Sequence, residues 1–98
     1  MPRWHLTPAA ELDLETIWIN TATRWGARQA ERYVDGLFEV FALLADFPEM
    51  ARERAEFTPP VRLHPHKSHS VIYVPSDEGL DIIRIFHMRQ DFWAILDR

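Results

Sequence analysis

The sequence predicts a small α+β domain, in which a helical hairpin packs on a small antiparallel sheet in the order β-α-α-β-β-β, followed by a short C-terminal apolar tail. Two long amphipathic helical patterns precede residue 48, and only Gly26 separates them. Three extended runs follow residue 60. Helices grouped before strands are typical of the α+β class. A length of 98 residues is that of one small domain, so we expect residues 1–98 to fold as a unit.

Composition and charge restrict the classes of protein to which the chain can belong. Its 47% hydrophobic residues are too many for a disordered chain, and it has no cysteine for a disulfide or a thiolate metal site. The N-terminal residues lack the apolar region of a signal peptide, and no run approaches the length of a membrane span, which predicts a cytoplasmic protein. The net charge of −4 argues against sequence-specific nucleic-acid binding by the chain alone. Residues 57–76 nevertheless contain no acid, and this segment is either a basic functional patch or a solvated edge.

The first strand and the first helix follow from local signals. Residues 3–6, RWHL, suit a strand. Thr7 can cap the next helix, and Pro8 at its first position sacrifices no hydrogen bond. Gly26 ends this helix, because glycine adopts a positive φ without strain. We expect the apolar stripe of this helix, including both of its tryptophans, to lie in the core. The stripe consists of Ala10, Leu14, Ile17, Trp18, Thr21 and Trp25.

The second helix begins at once and ends at Phe47-Pro48, since the residue before a proline avoids the α region. With only Gly26 between them, the two helices are predicted to form an antiparallel hairpin. The apolar stripe of the second helix consists of Ala30, Tyr33, Val34, Leu37, Phe41, Leu44 and Ala45.

The C-terminal half contains the predicted sheet strands. Residues 48–60 form a polar connector before them. Extended segments are predicted at 61–64, 68–74 and 80–88. Residues 75–79, PSDEG, join the last two strands as a hairpin loop in which Gly79 can take a positive φ. Asp91 can cap a last helical turn, FWAIL, which is too short to be stable unless it docks.

Strand 80–88 has apolar side chains on both of its faces. Strict alternation along the strand places four apolar side chains on the first face, and those of Ile83 and Ile85 on the second. A strand that is apolar on both faces is expected at the centre of a sheet. Only the tail is left to cover the second face, so we expect an apolar surface that another protein covers. The set on the first face consists of Leu80, Ile82, Phe86 and Met88.

The chain also resembles a known family, and the resemblance extends from about Leu6 to Asp91. It is carried by the segments LTPAAELDLETIW, TRWGARQAERYVDGL, LADFPEM, SHSVIYV and LDIIRIFHMRQD, in this order. They resemble the ParE toxins of the RelE/ParE superfamily, the toxin halves of bacterial type II toxin–antitoxin pairs. The resemblance implies an inhibitor of DNA gyrase that arrests growth, is not an enzyme and needs no cofactor. It also implies neutralisation by a ParD-like antitoxin in a higher-order hetero-oligomer.

A ribonuclease is the main alternative, since RelE-type members of the superfamily cut messenger RNA on the ribosome. Such chemistry needs cations around the scissile phosphate and a group that transfers protons. The candidates are His87 as acid or base, with Arg84 and Arg89 on the phosphate. The chain departs from the nuclease pattern, because it has a single lysine and carries Phe92-Trp93 where a tyrosine would be needed. An interaction module without toxicity is a third alternative.

The residues expected to contact partners come from the helical stripes, strand 80–88 and the tail. For the gyrase target we expect Arg89, Phe92 and Trp93. Arg84 and His87 also have structural interpretations: Arg84 would bind tail carbonyls or an acidic neighbour, and His87 would cap or pack at a strand end. The residues expected to bind the antitoxin are Trp18, Leu37, Phe41, Ile82 and Phe86.

Three histidines alternate along the segment HPHKSH and its neighbours. His64, His66 and His69 have the residue type of metal ligands. Pro65 and the turn between them argue against a common direction for their side chains. We therefore expect no metal site.

Overall fold

A computed structural model describes residues 3–96, apart from the side chains of Phe92 and Trp93. The elements follow the predicted order, with one short strand added inside the connector. No helix within this part of the chain is long and apolar enough to cross a membrane. The elements are β1 (Trp4–Leu6), α1 (Pro8–Trp25), α2 (Ala27–Asp46), β2 (Glu53–Arg54), β3 (Val61–His66), β4 (His69–Ser76), β5 (Gly79–His87) and α3 (Phe92–Leu96).

The helical hairpin has the boundaries that the sequence predicted. The hydroxyl oxygen of Thr7 accepts a hydrogen bond from the N–H of Ala10 at 3.1 Å, with Pro8 at the first helical position. Gly26 separates the helices with a φ of +94°, a value that strains any residue with a side chain. The second helix ends at Asp46, directly before Phe47-Pro48.

The five strands form one sheet in the order β1-β5-β4-β3-β2. Strands β2 to β5 are antiparallel neighbours, and β5 lies between two strands as predicted. Strand β1 instead runs parallel to β5, so the predicted antiparallel sheet has one parallel strand at its edge. The reason is the connection, since the two helices form the crossover that parallel neighbours require. Strand β2 has only two residues, which is too short to leave a pattern in the sequence.

The hairpin between β4 and β5 is tighter than predicted. Pairing continues to Ser76 opposite Gly79, so the loop contains only Asp77 and Glu78. Gly79 has a φ of +128°, and a Cβ at this position would collide with the backbone carbonyl of Arg3. Glycine therefore allows both the turn and the close approach of the segment before β1.

Strand β5 departs from strict alternation at Ile83. The pairing register with β4 shifts by one residue there, which makes Ile83 the extra residue of a β-bulge. Because a bulge reverses the phase of the side chains, Ile85 packs in the same cluster as Ile82, whereas Phe86 packs in the other. The predicted faces of Ile85 and Phe86 are therefore wrong.

The main core lies between the helical hairpin and one face of the sheet. Tyr73 at its border donates a hydrogen bond to the carbonyl of Pro48 at 2.9 Å, which ties the connector to β4. The buried residues of this cluster are Ala10, Leu14, Ile17, Leu37, Phe41, Leu44, Ala51, Val71, Tyr73, Leu80, Ile82 and Ile85.

A second, smaller apolar cluster covers the other face of the sheet. Ile95 of α3 is buried there, and Phe57 of the connector packs against the same cluster. The expectation that this face would stay uncovered is therefore wrong, because the tail and the connector cover it. The buried residues of the second cluster are Val61, Ile72, Phe86 and Ile95.

The burial of the tryptophans differs from the prediction. Trp25 was expected in the core but is 71% exposed, because the buried residues of α1 end at Ile17 and its last turns extend past the core. Trp18 is partly buried. Trp4 stacks on Phe38 with 5.5 Å between the ring centroids and belongs to the border of the main core.

Candidate functional site

Arg84 joins β5 to α1 by a bidentate ion pair. Its Nε and Nη2 atoms donate hydrogen bonds to the two carboxylate oxygens of Asp13, at 2.7 and 2.9 Å. Asp13 Oδ2 also accepts the backbone N–H of Ile85 at 2.9 Å. The hydrogen bonds that Arg84 donates to Asp13 raise the pKa of Arg84 above its usual value. Arg84 thus has the acidic neighbour that the sequence suggested, but this neighbour lies on α1 and not in the tail.

His87 organises the turn that follows β5. Its Nδ1 accepts the N–H of Arg89 at 3.1 Å, and its own N–H donates to Gln90 Oε1 at 2.8 Å. This is the capping role expected of a histidine at a strand end. Arg89 itself is exposed. The three candidate nuclease residues do not form one site, because Asp13 holds Arg84 and only His87 lines the adjacent cleft.

A cleft of about 730 Å³ lies between the helical hairpin and one end of the sheet. Its walls are the second half of α1, the first turns of α2, the turn between β3 and β4, and the end of β5. This volume falls within the range of small-molecule sites. The lining residues that carry charge or exchange protons are Asp13, Arg24, Tyr33, Lys67, His69 and His87.

Tyr33 and His69 form the inner part of this cleft. The hydroxyl of Tyr33 and Nδ1 of His69 are 2.6 Å apart and share a hydrogen bond, and the His69 ring meets the edge of the His87 ring at 5.2 Å between centroids. Burial, followed by the charges of His87 and His66, lowers the pKa of His69 to about 4. Burial also raises the pKa of Tyr33. Both groups are therefore uncharged at neutral pH and act as hydrogen-bonding groups.

Lys67 lies over the mouth of the cleft, at the tip of the turn between β3 and β4. Its Nζ is 5.7 Å from the centroid of the Tyr33 ring, within the range of a cation–π contact. Its φ is +54°, an unusual value for a residue other than glycine or asparagine. Within residues 3–96, neither Lys67 nor Arg24 forms a salt bridge.

The histidines of β3 are packing residues. His66 contacts the Tyr33 ring edge-on, and its Nε2 atom is buried without a hydrogen-bond partner. A Cβ at Gly36 would lie 3.4 Å from this atom, so the absence of a side chain at Gly36 makes room for the imidazole. Burial lowers the pKa of both His64 and His66. The described residues contain no cluster of three or more His, Asp or Glu side chains placed to bind a metal ion.

The structure places most of the residues expected to bind an antitoxin inside the protein. Leu37, Phe41 and Ile82 have no exposed surface, because they fill the core between the helices and the sheet. Phe86 is buried in the second cluster, on the opposite face from Ile82. We correct the assignment of these four to core positions, since a partner cannot reach them in this conformation. Trp18, which is partly buried, keeps an accessible side chain.

The residues expected to contact the target lie at the start of the tail. Arg89 is exposed in the turn between β5 and α3. Phe92 and Trp93 form the first turn of α3, and their side chains lie outside the described part of the structure. Ile95 anchors this helix in the second cluster.

The exposed apolar surface lies mainly on the helices and not on the sheet. Leu12 and Ile19 are 63% and 52% exposed, and their spacing of seven residues places them on one outer face of α1. Phe47 and Met50, directly after α2, are 60% and 48% exposed. Sequence reasoning missed these positions because it sought the periodic apolar stripe, from which Leu12 and Ile19 deviate.

Sequence reasoning also did not bring Tyr33, Lys67 and His69 together with Trp25. Tyr33 and His69 are 36 positions apart along the chain, and no local pattern links them. The one available signal was the acid-free segment 57–76, which contains Lys67 and His69.

Comparisons with known proteins agree on one family. Residues 5–92 match the model of the family described as ParE toxin of type II toxin–antitoxin system, parDE. Toxin ParE1 of Mycobacterium tuberculosis is 38% identical over 90 residues, which are 91% of this chain and 92% of the relative. Toxin ParE of Escherichia coli is 33% identical over 97 residues, covering 98% of this chain and 94% of the relative.

A solved structure described as the chromosomal ParDE TA system from P. aeruginosa has a similar fold. The TM-score is 0.73 at 21% sequence identity, and the match covers 86% of this chain and 92% of the other. At this identity the likeness supports the fold, a helical hairpin on a small sheet.

Proposed function

The chain belongs to the family of ParE toxins of type II toxin–antitoxin systems, and we propose that it inhibits DNA gyrase until a ParD-like antitoxin neutralises it. The observation that carries the proposal is the family match over residues 5–92, together with relatives that align along nearly their whole length. Gyrase inhibition is the activity that the ParE resemblance implies.

The geometry of the candidate nuclease residues favours inhibition over RNA cleavage. A cation that stabilises a scissile phosphate must have its charge available to the substrate. The charge of Arg84 is instead committed to Asp13 through two hydrogen bonds. His87 uses Nδ1 to accept the N–H of Arg89, which ties this nitrogen to the turn. The chain is therefore proposed to act as a protein inhibitor and not as an enzyme.

The antitoxin is proposed to cover the apolar side chains on the outside of the helices. Leu12 and Ile19 on α1, with Phe47 and Met50 after α2, expose large apolar surface that a partner can bury. Trp18 adds a partly accessible aromatic ring to α1. An amphipathic antitoxin segment would bury these side chains in the manner of other helix-in-groove complexes, within a larger hetero-oligomer.

The gyrase contact is proposed to involve Arg89, Phe92 and Trp93. Arg89 is exposed beside the first turn of α3, where the two aromatic residues lie in the sequence. Arginine and tryptophan are enriched at the energetic centres of protein interfaces.

A supercoiling assay tests the function directly. Purified chain should inhibit supercoiling by gyrase, and a stoichiometric amount of the cognate antitoxin should restore it. Induction without the antitoxin should give filamentous cells with an active DNA-damage response. Unimpaired supercoiling combined with rapid loss of translation and cut messages would refute gyrase inhibition in favour of ribonuclease action. Normal growth with unimpaired supercoiling would indicate a non-toxic interaction module.

The target residues are best tested by point substitution. Deleting the tail would also remove Ile95, which is buried in the second cluster, and would therefore confuse loss of contact with loss of stability. We expect Arg89→Ala and Trp93→Ala to relieve supercoiling inhibition while antitoxin binding persists. The matched control is Arg52→Ala, an exposed arginine of the connector. Full inhibition by the tail variants would contradict the assignment.

The antitoxin surface has a separate readout. We expect Leu12→Ser and Ile19→Ser to weaken antitoxin binding without reducing supercoiling inhibition, with Asp77→Ser, an exposed position of the β4–β5 loop, as the control. Hydrogen exchange should show protection of α1 in the complex. If antitoxin binding is equal for the three variants, the antitoxin lies elsewhere.

A further inference from the structure

The cleft beside Tyr33 combines features that neither the proposed antitoxin surface nor the proposed gyrase contact uses. It measures about 730 Å³ and opens between the helical hairpin and the end of the sheet. It lies apart from the apolar side chains Leu12, Phe47 and Met50, none of which lines it. A concave site of this size with several polar groups is the usual form of a small-molecule site.

The charge balance of this cleft is positive, although the whole chain carries a net charge of −4. Lys67 and Arg24 line it and form no salt bridge within residues 3–96. Among the described residues that line the cleft, Asp13 carries the one carboxylate, and Arg84 neutralises it through two hydrogen bonds. Within this lining, an anion would therefore meet two available cations and no uncompensated acid.

The same cleft also presents an aromatic surface. Trp25 lines it and is 71% exposed, an unusual position for so large an apolar ring. A flat π face in a positively charged groove is the arrangement on which nucleic-acid bases stack. Tyr33 and His69 are uncharged at neutral pH and can form hydrogen bonds at the inner end.

Lys67 is held over the cleft by the hairpin turn between β3 and β4. Its φ of +54° at the tip of the β3–β4 turn is a conformation in which glycine or asparagine would be more stable. Lys67 and Ser68 form the two-residue loop between the paired residues His66 and His69, and such loops take a positive φ at their first position, so the hairpin turn fixes Lys67 at the cleft.

We propose that this cleft binds a nucleoside phosphate, with the base on the Trp25 indole and the phosphate at Lys67 and Arg24. The ligand is either a free nucleotide or a nucleotide at the end of a single strand, since both present a base and a phosphate. Recognition of this kind depends on stacking and charge, and therefore does not require a particular sequence.

Calorimetric titration of the full chain with ATP, at low ionic strength, tests the site. Adenosine and inorganic phosphate are the partial ligands, and we expect each to bind at least about tenfold more weakly than ATP because each lacks one of the two contacts. A four-nucleotide single strand of mixed sequence forms the second arm. Whichever of ATP and the oligonucleotide binds more tightly identifies the ligand as a free nucleotide or as the end of a single strand. Saturable binding of either one supports the site.

Matched variants assign the binding to the cleft. Lys67→Gln and Trp25→Ala should each weaken ATP binding by about tenfold or more, and Lys67→Arg should restore most of it because the charge returns. Arg52→Gln and Phe47→Ala remove an exposed arginine and an exposed aromatic ring elsewhere and should leave binding unchanged. Circular dichroism confirms that each variant is folded.

Two results would overturn the proposal. One is the absence of saturable binding of ATP and of the oligonucleotide up to about 10 mM, a concentration that would reveal even a Kd of about 1 mM. The other is binding that Lys67→Gln and Trp25→Ala leave intact. Supercoiling inhibition is read in a separate assay, so failure of gyrase inhibition and failure of this site are distinguishable.

Discussion

The two halves of β5 differ in the groups that satisfy their backbone hydrogen bonds. From Leu80 to Ile82 the strand is paired by backbone on both sides, to β4 and to the parallel strand β1. From Arg84 to His87, β1 has ended and side chains satisfy the free N–H groups. The carboxylate of Asp13 accepts the N–H of Ile85, and the side chain of Gln90 accepts the N–H of His87. The bulge at Ile83 separates the two halves.

The comparison separates the part of β5 that maintains the fold from the part that borders candidate sites. The first half lies beneath the helices, with Leu80 and Ile82 fully buried. The second half borders the cleft through Ile85 and His87 and leads directly into the proposed gyrase contact. Side-chain acceptors protect an open sheet edge from further strand pairing while leaving the backbone free to turn.

The largest effect is expected in the first half. Ile82→Ala should lower the free energy of unfolding by about 3–4 kcal/mol, because it leaves a cavity in a fully buried position. Urea unfolding monitored by circular dichroism measures this change. Ile19→Ala is the control, an exposed isoleucine for which we expect about 0.5 kcal/mol or less. A loss below about 1.5 kcal/mol for Ile82→Ala would show that the first half is less tightly packed than described.

The ion pair of the second half should have the next largest effect. Asp13→Ala leaves both the guanidinium of Arg84 and the N–H of Ile85 without their acceptor, and we expect a loss of about 2–3 kcal/mol. The side chains of the pair are 21% and 14% exposed, so water compensates only in part. Urea unfolding measures the loss, with Glu15→Ala on the same helix as a near-neutral control.

A double variant separates the two contributions of Asp13. In Asp13→Ala/Arg84→Met the uncompensated charge is gone, so part of the lost stability should return. The Ile85 N–H still lacks its acceptor, so the recovery should be incomplete. A double variant that is less stable than Asp13→Ala would contradict this account of the pair.

The sequence predicted the helix boundaries better than it predicted the second half of β5. Thr7, Gly26 and Pro48 act through local backbone geometry, which a linear pattern contains, and the helices begin and end accordingly. The bulge at Ile83 has no such signal, because strict alternation assumes that each residue of a strand faces one partner residue. The bulge placed Phe86 on the face of the sheet opposite to the predicted one.

The contacts that define the candidate site depend on tertiary structure. Asp13 and Arg84 are 71 positions apart, and only the packing of α1 beside β5 brings them together. The charge of Arg84 made it a reasonable ligand for phosphate when its partner was unknown. Trp25 was assigned to the core because periodicity does not reveal where a helix leaves the sheet that it covers.

Acid should weaken the cleft end of the sheet. The pKa of His69 is lowered from 6.5 to about 4, so the unfolded chain binds a proton that the folded chain excludes between these pH values. The contribution is complete above pH 6.5 and is lost as the pH falls toward 4. Because solvent screens part of the ring, we expect a loss of about 1–2 kcal/mol between pH 7 and pH 4.5.

His69→Gln isolates this contribution from the rest of the acid response. Glutamine can still bond to Tyr33 but does not titrate, so the variant should lose less stability than the parent chain over the same pH interval. Urea unfolding at the two pH values gives the difference. Equal losses in both proteins would show that His69 is not the group responsible.

The smallest effect is expected where the second half of β5 reaches solvent. Gln90→Ala removes the acceptor of the His87 N–H, but both groups are near the surface and water can replace the amide. The cost in unfolding free energy should therefore be about 0.5 kcal/mol or less. Hydrogen exchange should nevertheless show faster exchange of the His87 amide, while the Ile85 amide, held by Asp13, is unchanged. Accelerated exchange at both amides would mean that the two side-chain acceptors act as one unit, and that the second half of β5 opens cooperatively from the bulge to the tail.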